Sequence, residues 1–301
     1  MTVYIISGRK LRSKIMNKTG LVLEGGAMRG LFTAGVMDTL MENDIRFDGL
    51  IGVSAGAAFG CNYKSRQIGR VLRYNKRFCR DKRYCSLSSL LKTGDLFGAD
   101  FCYRQLPDEL DPFDRETYNN DPMAFYLVCT DVHTGQAHYQ SCPVVDEECF
   151  EWMRASASMP LVSRIVKIRE REYLDGAIAD SIPLRFFEEK GYNKNVVVLT
   201  QPAGFCKKTS KAMGLLRIVL HKYPALIQAL ETRHERYNET LRYLEEQSRK
   251  GNIFLLRPES PLPVGRICHD PEKLQQTYDI GREYSAKLLP QIKKFLEQTE
   301  K

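Results

Sequence analysis

The sequence predicts an α/β protein, and three observations carry that prediction. Short apolar runs alternate with helix-period stretches through the first two-thirds of the chain. Two of these runs end in glycine-rich turns that open helices: Gly25-Gly26-Ala27-Met28-Arg29-Gly30 after Leu21-Val22-Leu23, and Gly52-Val53-Ser54-Ala55-Gly56 after Leu50-Ile51. The chain of 301 residues, 43% hydrophobic and 27% charged, is long enough to bury a sizeable core and ordinary for a globular protein.

In order, residues 20–24 read as a strand. Residues 29–42 read as a helix, with Leu31, Ala34, Met37, Leu40 and Met41 at helical spacing. Residues 48–53 form the next strand and 55–63 the helix behind Ser54, and a basic helix follows over 66–80. The stretch 85–122 reads as loop-rich, with Gly94, Gly98, Pro107, Pro112 and Pro122 breaking any long element. Residues 125–131 predict a buried strand that turns at Thr134-Gly135 into a hairpin with 137–140. A helix over 147–156 stops at Met159-Pro160. A second hairpin (165–168 with 172–174) leads into Asp175-Gly176-Ala177, Pro183 opens a helix, and 195–200 is a β-branched strand. Composition then shifts to a long charged helical run over 211–249. A strand at 253–256 that can join the same sheet and a closing helix over 271–297 complete the chain.

Net charge is +8, which suits anionic partners such as membrane headgroups. No aromatic-interleaved basic motif or zinc-finger spacing points to nucleic acid. Nine cysteines stand without a C-x-x-C pair or a Cys/His ligand set, so no metal is expected and a reduced, cytoplasmic setting is the economical reading. The basic start (Arg9, Lys10, Arg12, Lys14) lacks a signal-type apolar stretch, and no run has transmembrane length. Membrane contact, if made, is therefore expected to be peripheral.

The second turn reads G-x-S-x-G, a nucleophile elbow that pushes the Ser54 hydroxyl out at a strand end, with Gly52 and Gly56 keeping the turn clear. The first turn offers backbone N–H groups at a helix start, suited to a phosphate or a developing oxyanion. Together they suggest a serine hydrolase, whose serine needs a base. The histidines at 133, 138, 221, 234 and 269 occupy no compelling position. Asp175 closes an apolar strand at a tight turn, with Asp180 nearby as a second, solvent-side acid. A carboxylate at such a turn also commonly just bonds the backbone two residues on.

These two turns, with Ala155-Ser156-Ala157-Ser158-Met159-Pro160 and Asp175-Gly176-Ala177 in the same order, resemble the patatin-like phospholipase family over roughly residues 18–200. The segment Thr130-Asp131-Val132-His133-Thr134-Gly135 also resembles that family, and the long C-terminal extension is similar to that of a bacterial branch. The resemblance implies a three-layer α/β/α core with a mainly parallel sheet. It implies a core over 18–204 between a basic leader (1–17) and a mainly helical extension (205–301) packed on it. It implies a Ser–Asp dyad without histidine: Ser54 as nucleophile, Asp175 as base, and Gly25, Gly26, Ala27, Met28, Arg29 and Gly30 as the oxyanion and substrate loop. No cofactor is implied. The chain departs from the common pattern at Ala27 and Ala177, where glycine often stands. Ala27 either narrows the anion site or requires a φ below zero, and Ala177 requires a negative φ.

The expected activity is acyl-ester hydrolysis of lipid-like substrates, with an acyl chain entering along 85–122 past Leu90, Leu91, Leu96, Phe97 and Phe101. Two other readings remain: a non-catalytic lipid-binding or scaffolding protein of the same fold, and a nucleotide-binding module. Against the latter, Ala27 breaks G-x-G-x-x-G and no acidic ribose contact ends the second strand.

Overall fold

The computed structural model describes residues 18–297, so the leader expected at 1–17 lies outside the described residues. In chain order the elements begin with β1 (Lys18–Leu23), α1 (Gly30–Glu42), β2 (Gly49–Val53), α2 (Ala55–Lys64), α3 (Arg70–Phe78), α4 (Leu87–Thr93) and α5 (Arg115–Asn120). They continue with β3 (Ala124–Asp131), β4 (Ala137–Ser141), α6 (Glu147–Ser156), β5 (Val166–Ile168), β6 (Arg171–Asp175) and α7 (Leu184–Glu189). The last are β7 (Tyr192–Val198), α8 (Met213–Val219), α9 (Pro224–Arg249), β8 (Ile253–Leu256) and α10 (Pro271–Glu297).

The strands form one eight-stranded mixed sheet in the order β5-β6-β3-β2-β1-β7-β8, with β4 also on β3. The run β3-β2-β1-β7-β8 is parallel throughout, and β4, β5 and β6 are the antiparallel additions. Period-two alternation makes both faces apolar. Leu21, Leu23, Leu50, Phe125, Leu127, Val196 and Val198 face a core shared with α1, α2, α6 and α10. Val22, Ile51, Val53, Val128 and Val197 face the other core, shared with α7 and α9. The result is an α/β fold of three layers.

Three segments differ from the sequence expectation. The stretch 85–122 holds no long element, as expected, but is richer in short helices: α4, α5 and a ten-residue π-helix, Phe101–Leu110, that carries Pro107. Its breakers delimit short helices rather than abolish them. Ser86 and Asp114 cap α4 and α5 through Ser89 N (2.9 Å) and Thr117 N (2.9 Å), and Gly94 ends α4 at φ +80°. The helical run over 211–249 is split at 220–223, because Pro224 starts α9 and disfavours helix at the residue before it. The basic helix is shorter than 66–80, and one of its cations turns inward: Arg70 is buried, while the exposed Arg73 pairs with Asp111 (2.7 Å).

The C-terminal third joins this scaffold at one edge of the sheet and over one of its faces. β8 pairs with β7, and α10 lies on α1 with glycine against backbone on each side. Beside that contact Asp38 is buried, its Oδ2 accepting from Tyr278 Oη (2.6 Å) and Gly69 N (2.8 Å). Burial outweighs those donors and pushes its carboxyl up to about 6. A carboxyl raised above its unfolded value stabilises the fold below the unfolded pKa and loses that contribution as pH rises through about 6. Asp38→Asn keeps the acceptor without the charge. It is expected to stabilise the protein at pH 7 by up to about 2–3 kcal/mol and to flatten stability between pH 4 and 7. Urea melts at several pH values check this; an unchanged pH slope contradicts it.

Candidate active site

Strand pairing brings the two chemically important ends together. β2 runs parallel to β3 with Val53 opposite Val128, and β6 runs antiparallel to β3 with Asp175 opposite Cys129. β4 covers β3 from Tyr126 to Thr130, overlapping both registers. A strand has only two edges, so β2 and β6 share the remaining one and end head to head. Ser54 follows the last residue of β2, and Asp175 is the last residue of β6.

The elbow is strained and tightly packed. Ser54 sits at φ 56°, ψ −122°, a sparsely populated conformation for a residue with a side chain. A Cβ on Gly52 would lie 2.3 Å from Gly56 O, and one on Gly56 would lie 2.4 Å from Leu23 O. The block at 155–160 pins both strand ends. Ser156 Oγ accepts from Ser54 N (3.0 Å) and donates to Val128 O (2.7 Å), while Ser158 O accepts from Asp175 N (2.8 Å). Ser156→Ala would leave both groups unsatisfied in a fully buried place. It is expected to cost about 1–3 kcal/mol of stability and on the order of tenfold in ester turnover, read by melting and by kcat.

Asp175 is buried, and its Oδ1 accepts from Ala177 N (2.8 Å). Burial pushes its carboxyl up. The Arg233 guanidinium, the Ala177 N–H, the Ser54 hydroxyl and Arg266 pull the other way. Ala177 avoids the left-handed region, so its departure from glycine carries no strain. Gly176 does require its hydrogen, since a Cβ would lie 2.1 Å from Val128 O. Asp180, expected on the solvent side, is instead half-buried and accepts from Tyr139 Oη (2.9 Å).

The glycine loop lies against the elbow. A Cβ on Gly25 would meet Val53 O at 2.7 Å, one on Gly26 would meet Thr200 Oγ1 at 2.7 Å, and one on Gly30 would meet the Phe59 ring at 2.9 Å. Ala27 takes φ +49°, not a φ below zero, so its Cβ is accommodated at the cost of backbone strain. Met28 N donates to Arg266 O (3.3 Å) and Arg29 N to Gly26 O (3.2 Å), so neither N–H points freely at Ser54. Arg29 Nε is buried without a hydrogen-bond partner.

Two cavities meet at Ser54 and Ala27. One, of about 130 Å³, is mainly apolar and runs past Met28, Phe59, Tyr74, Phe97, Leu106 and Met153. The other, of about 70 Å³, holds Asp175 with Glu24, Arg29, Lys207, Arg233 and Arg266. No histidine lines either. Of the five residues expected to meet an acyl chain, only Phe97 lines the apolar cavity. Leu96 and Phe101 are core, Leu90 is packed against it, and Leu91 is 87% exposed. The π-helix took over that wall with Cys102, Tyr103, Leu106 and Pro107.

Sequence reasoning missed Glu24, Ser156, Lys207, Arg233 and Arg266 as parts of this site. Glu24 is buried, with Oε1 accepting from Tyr237 Oη (2.6 Å) and Oε2 from Thr200 N (2.7 Å). A glutamate directly after the apolar run Leu21-Val22-Leu23 and before the glycine turn was a usable signal. The three cations had none, because each stands in a segment that reads as solvated.

The chain is similar to several known proteins. A profile described as "Patatin-like phospholipase" matches residues 21–187, and one described as a domain of unknown function (DUF6363) matches 223–297. The uncharacterized protein YjjU of Escherichia coli K12 is 28% identical over 94% of this chain and 80% of its own length. Lysophospholipase nte1 of Aspergillus niger is 24% identical over 91% of this chain, which spans 18% of that much longer protein. The crystal structure of VipD from Legionella pneumophila superposes with a TM-score of 0.47 at 14% identity, covering 91% of this chain and 67% of that one. With its profile match spanning more than half of the chain, the protein belongs to the patatin-like phospholipase family.

Proposed function

We propose that the protein is a serine acyl-ester hydrolase acting on lipid esters through a Ser54–Asp175 dyad. Family membership supports lipid acyl-hydrolase-type activity. The observation that carries the dyad is the head-to-head ending of β2 and β6 on one edge of β3. The name of the Aspergillus niger relative supports testing single-chain lipid esters first.

In this reading Ser54 Oγ attacks the ester carbonyl as its proton passes to Asp175. The loop N–H groups of Gly25, Gly26 and Ala27 hold the tetrahedral oxyanion, with each such donor worth about 2.7–4 kcal/mol. Met28 is left out of that set because its N–H is engaged by Arg266 O. The ester C–O bond then breaks, and Asp175 returns the proton to the leaving alcohol. A water activated by Asp175 finally hydrolyses the acyl-enzyme, restoring both groups. Aspartate is ordinarily a weak base with a pKa of about 3.9, so raising it by burial favours this role.

Reaction with a fluorophosphonate probe tests the proposal. Labelling is expected at Ser54, is absent in Ser54→Ala, and falls in Asp175→Asn. A folded wild-type protein that does not label, alone or with lipid vesicles, overturns it in favour of a lipid-binding protein.

A further inference from the structure

We propose that α8 is a membrane anchor: its outward face, Leu215 with Ile218 and Val219, inserts into a bilayer whose anionic headgroups are held by Lys208, Lys211 and Lys222. The proposal rests on the hydrolase reading only for why such an anchor stands beside the site. The surface lies between the two matched segments, 21–187 and 223–297, and belongs to neither.

Apolar exposure is the first argument, because α8 is apolar on both sides. Met213, Leu216 and, just past its end, Leu220 pack into a buried cluster with Val132, Leu174 and Ile178. On the opposite face, at the spacing i, i+3, i+4, Leu215 is 53% exposed, Ile218 71% and Val219 53%. Single exposed aliphatic side chains are ordinary. Three at neighbouring positions of one short helix form a patch, and a helix that is apolar all round belongs where both sides are covered.

Charge names what covers it. From residue 190 to residue 230 the chain carries no aspartate or glutamate. Lys208 and Lys211 before the helix and Lys222 after it are exposed, and among the described residues none of them pairs with a carboxylate. Arg217, on the helix itself, is already paired with Glu231 (2.7 Å). The outward face holds no Trp or Tyr of the kind that anchors protein partners in pockets. Aliphatic side chains flanked by unpaired lysines match a lipid surface instead, where apolar burial and attraction to anionic headgroups add together.

Position is the third argument. α8 rests on residues that lead out of the candidate site. Ile178 closes the turn that follows Asp175, and Leu161, just beyond Met159, packs against the same cluster. Met159 and Lys207 both line the cavity that holds Asp175, and the chain runs from Lys207 directly into α8. An inserted α8 therefore holds the Asp175 side of Ser54 at the bilayer.

The test is cosedimentation with phosphatidylcholine vesicles, with and without about 30% phosphatidylglycerol, in a Ser54→Ala background so that no lipid is consumed. Binding to the anionic vesicles is expected, and it should fall at least fivefold in about 1 M salt, where the Debye length is about 3 Å. Leu215→Gln/Ile218→Gln and Lys208→Gln/Lys211→Gln/Lys222→Gln, each shown folded by its melt, should each weaken it at least fivefold. Ile218→Trp adds a second indole to a chain whose one tryptophan, Trp152, is buried. Its emission is expected to shift to the blue on the vesicles. The anchor is overturned by no binding, by equal binding to the uncharged vesicles, by a smaller loss in either folded variant, or by unshifted emission from bound Ile218→Trp. A dimer that Leu215→Gln/Ile218→Gln dissociates also overturns it and assigns the face to a second copy. Because binding is read without turnover, failure of the hydrolase reading shows in probe labelling and leaves this result standing.

Discussion

Ser54→Ala and Asp175→Asn are each expected to lower ester kcat by at least about 10³-fold while the chain stays folded. The first removes the attacking oxygen. The second keeps the shape of Asp175 and its acceptor for Ala177 N but removes the proton acceptor. Because the two act as one unit, the double variant should be little worse than either single one. Burial has raised the Asp175 carboxyl, so the acid limb of kcat/KM should lie above the ordinary aspartate value of about 3.9. The same shift gives the sign for stability. A raised carboxyl that must ionise in the fold costs stability above its folded pKa, so neutralising it should leave the melting temperature at pH 7 unchanged or higher. Steady-state rates on a short-chain ester, with melts of the same samples, check all of this. An Asp175→Asn rate within tenfold of wild type would assign the base elsewhere.

Gly281→Val is expected to cost about 3 kcal/mol or more and to loosen α10 from the body of the protein. A Cβ on Gly281 would lie 2.1 Å from Phe32 O, and one on the facing Gly35 would lie 2.1 Å from Tyr278 O. Both obstacles are backbone, so no rotamer change relieves the clash, and the two helices must separate. Separation would expose Leu274, Tyr278, Ile292 and Phe295, which α10 buries. Gly214→Ala is the control, because nothing lies within 4 Å of a Cβ there and its φ is not positive. That change should leave stability unchanged or raise it by about 0.4–1 kcal/mol. A Gly281→Val protein as stable as Gly214→Ala would mean that the two helices do not touch at these positions.

Much of the fold is local in origin, and that part is legible. The alternation of Leu21, Val22 and Leu23, or of Leu127, Val128 and Cys129, sends neighbouring side chains to opposite apolar layers, and a period of two states this directly. Glycines read correctly wherever the turn itself forbids a Cβ, as at Gly52 and Gly56. The failures share a cause. Gly94, Pro107 and Pro112 suggested a loop-rich stretch over 85–122 without long elements, but a breaker states only where a helix of one kind cannot continue. The segment answers with capped short helices and a π-helix. Leu91 looked like a lipid contact from composition alone, whereas tertiary packing turned it outward.

By itself the sequence determined the α/β class, the elbow at Ser54, the glycine loop before it and the carboxylate at the end of β6, because each depends on a few adjacent residues and their backbone limits. The tertiary structure alone decided that β2 and β6 end on the same edge of β3, since register between strands 120 residues apart is set by packing and not by local pattern. It also decided the surroundings of the site. Lys207, Arg233 and Arg266 come from a charged third of the chain that reads as solvated surface. Only the docking of that third places their charges beside Ser54, where low dielectric and mutual repulsion give them chemical meaning.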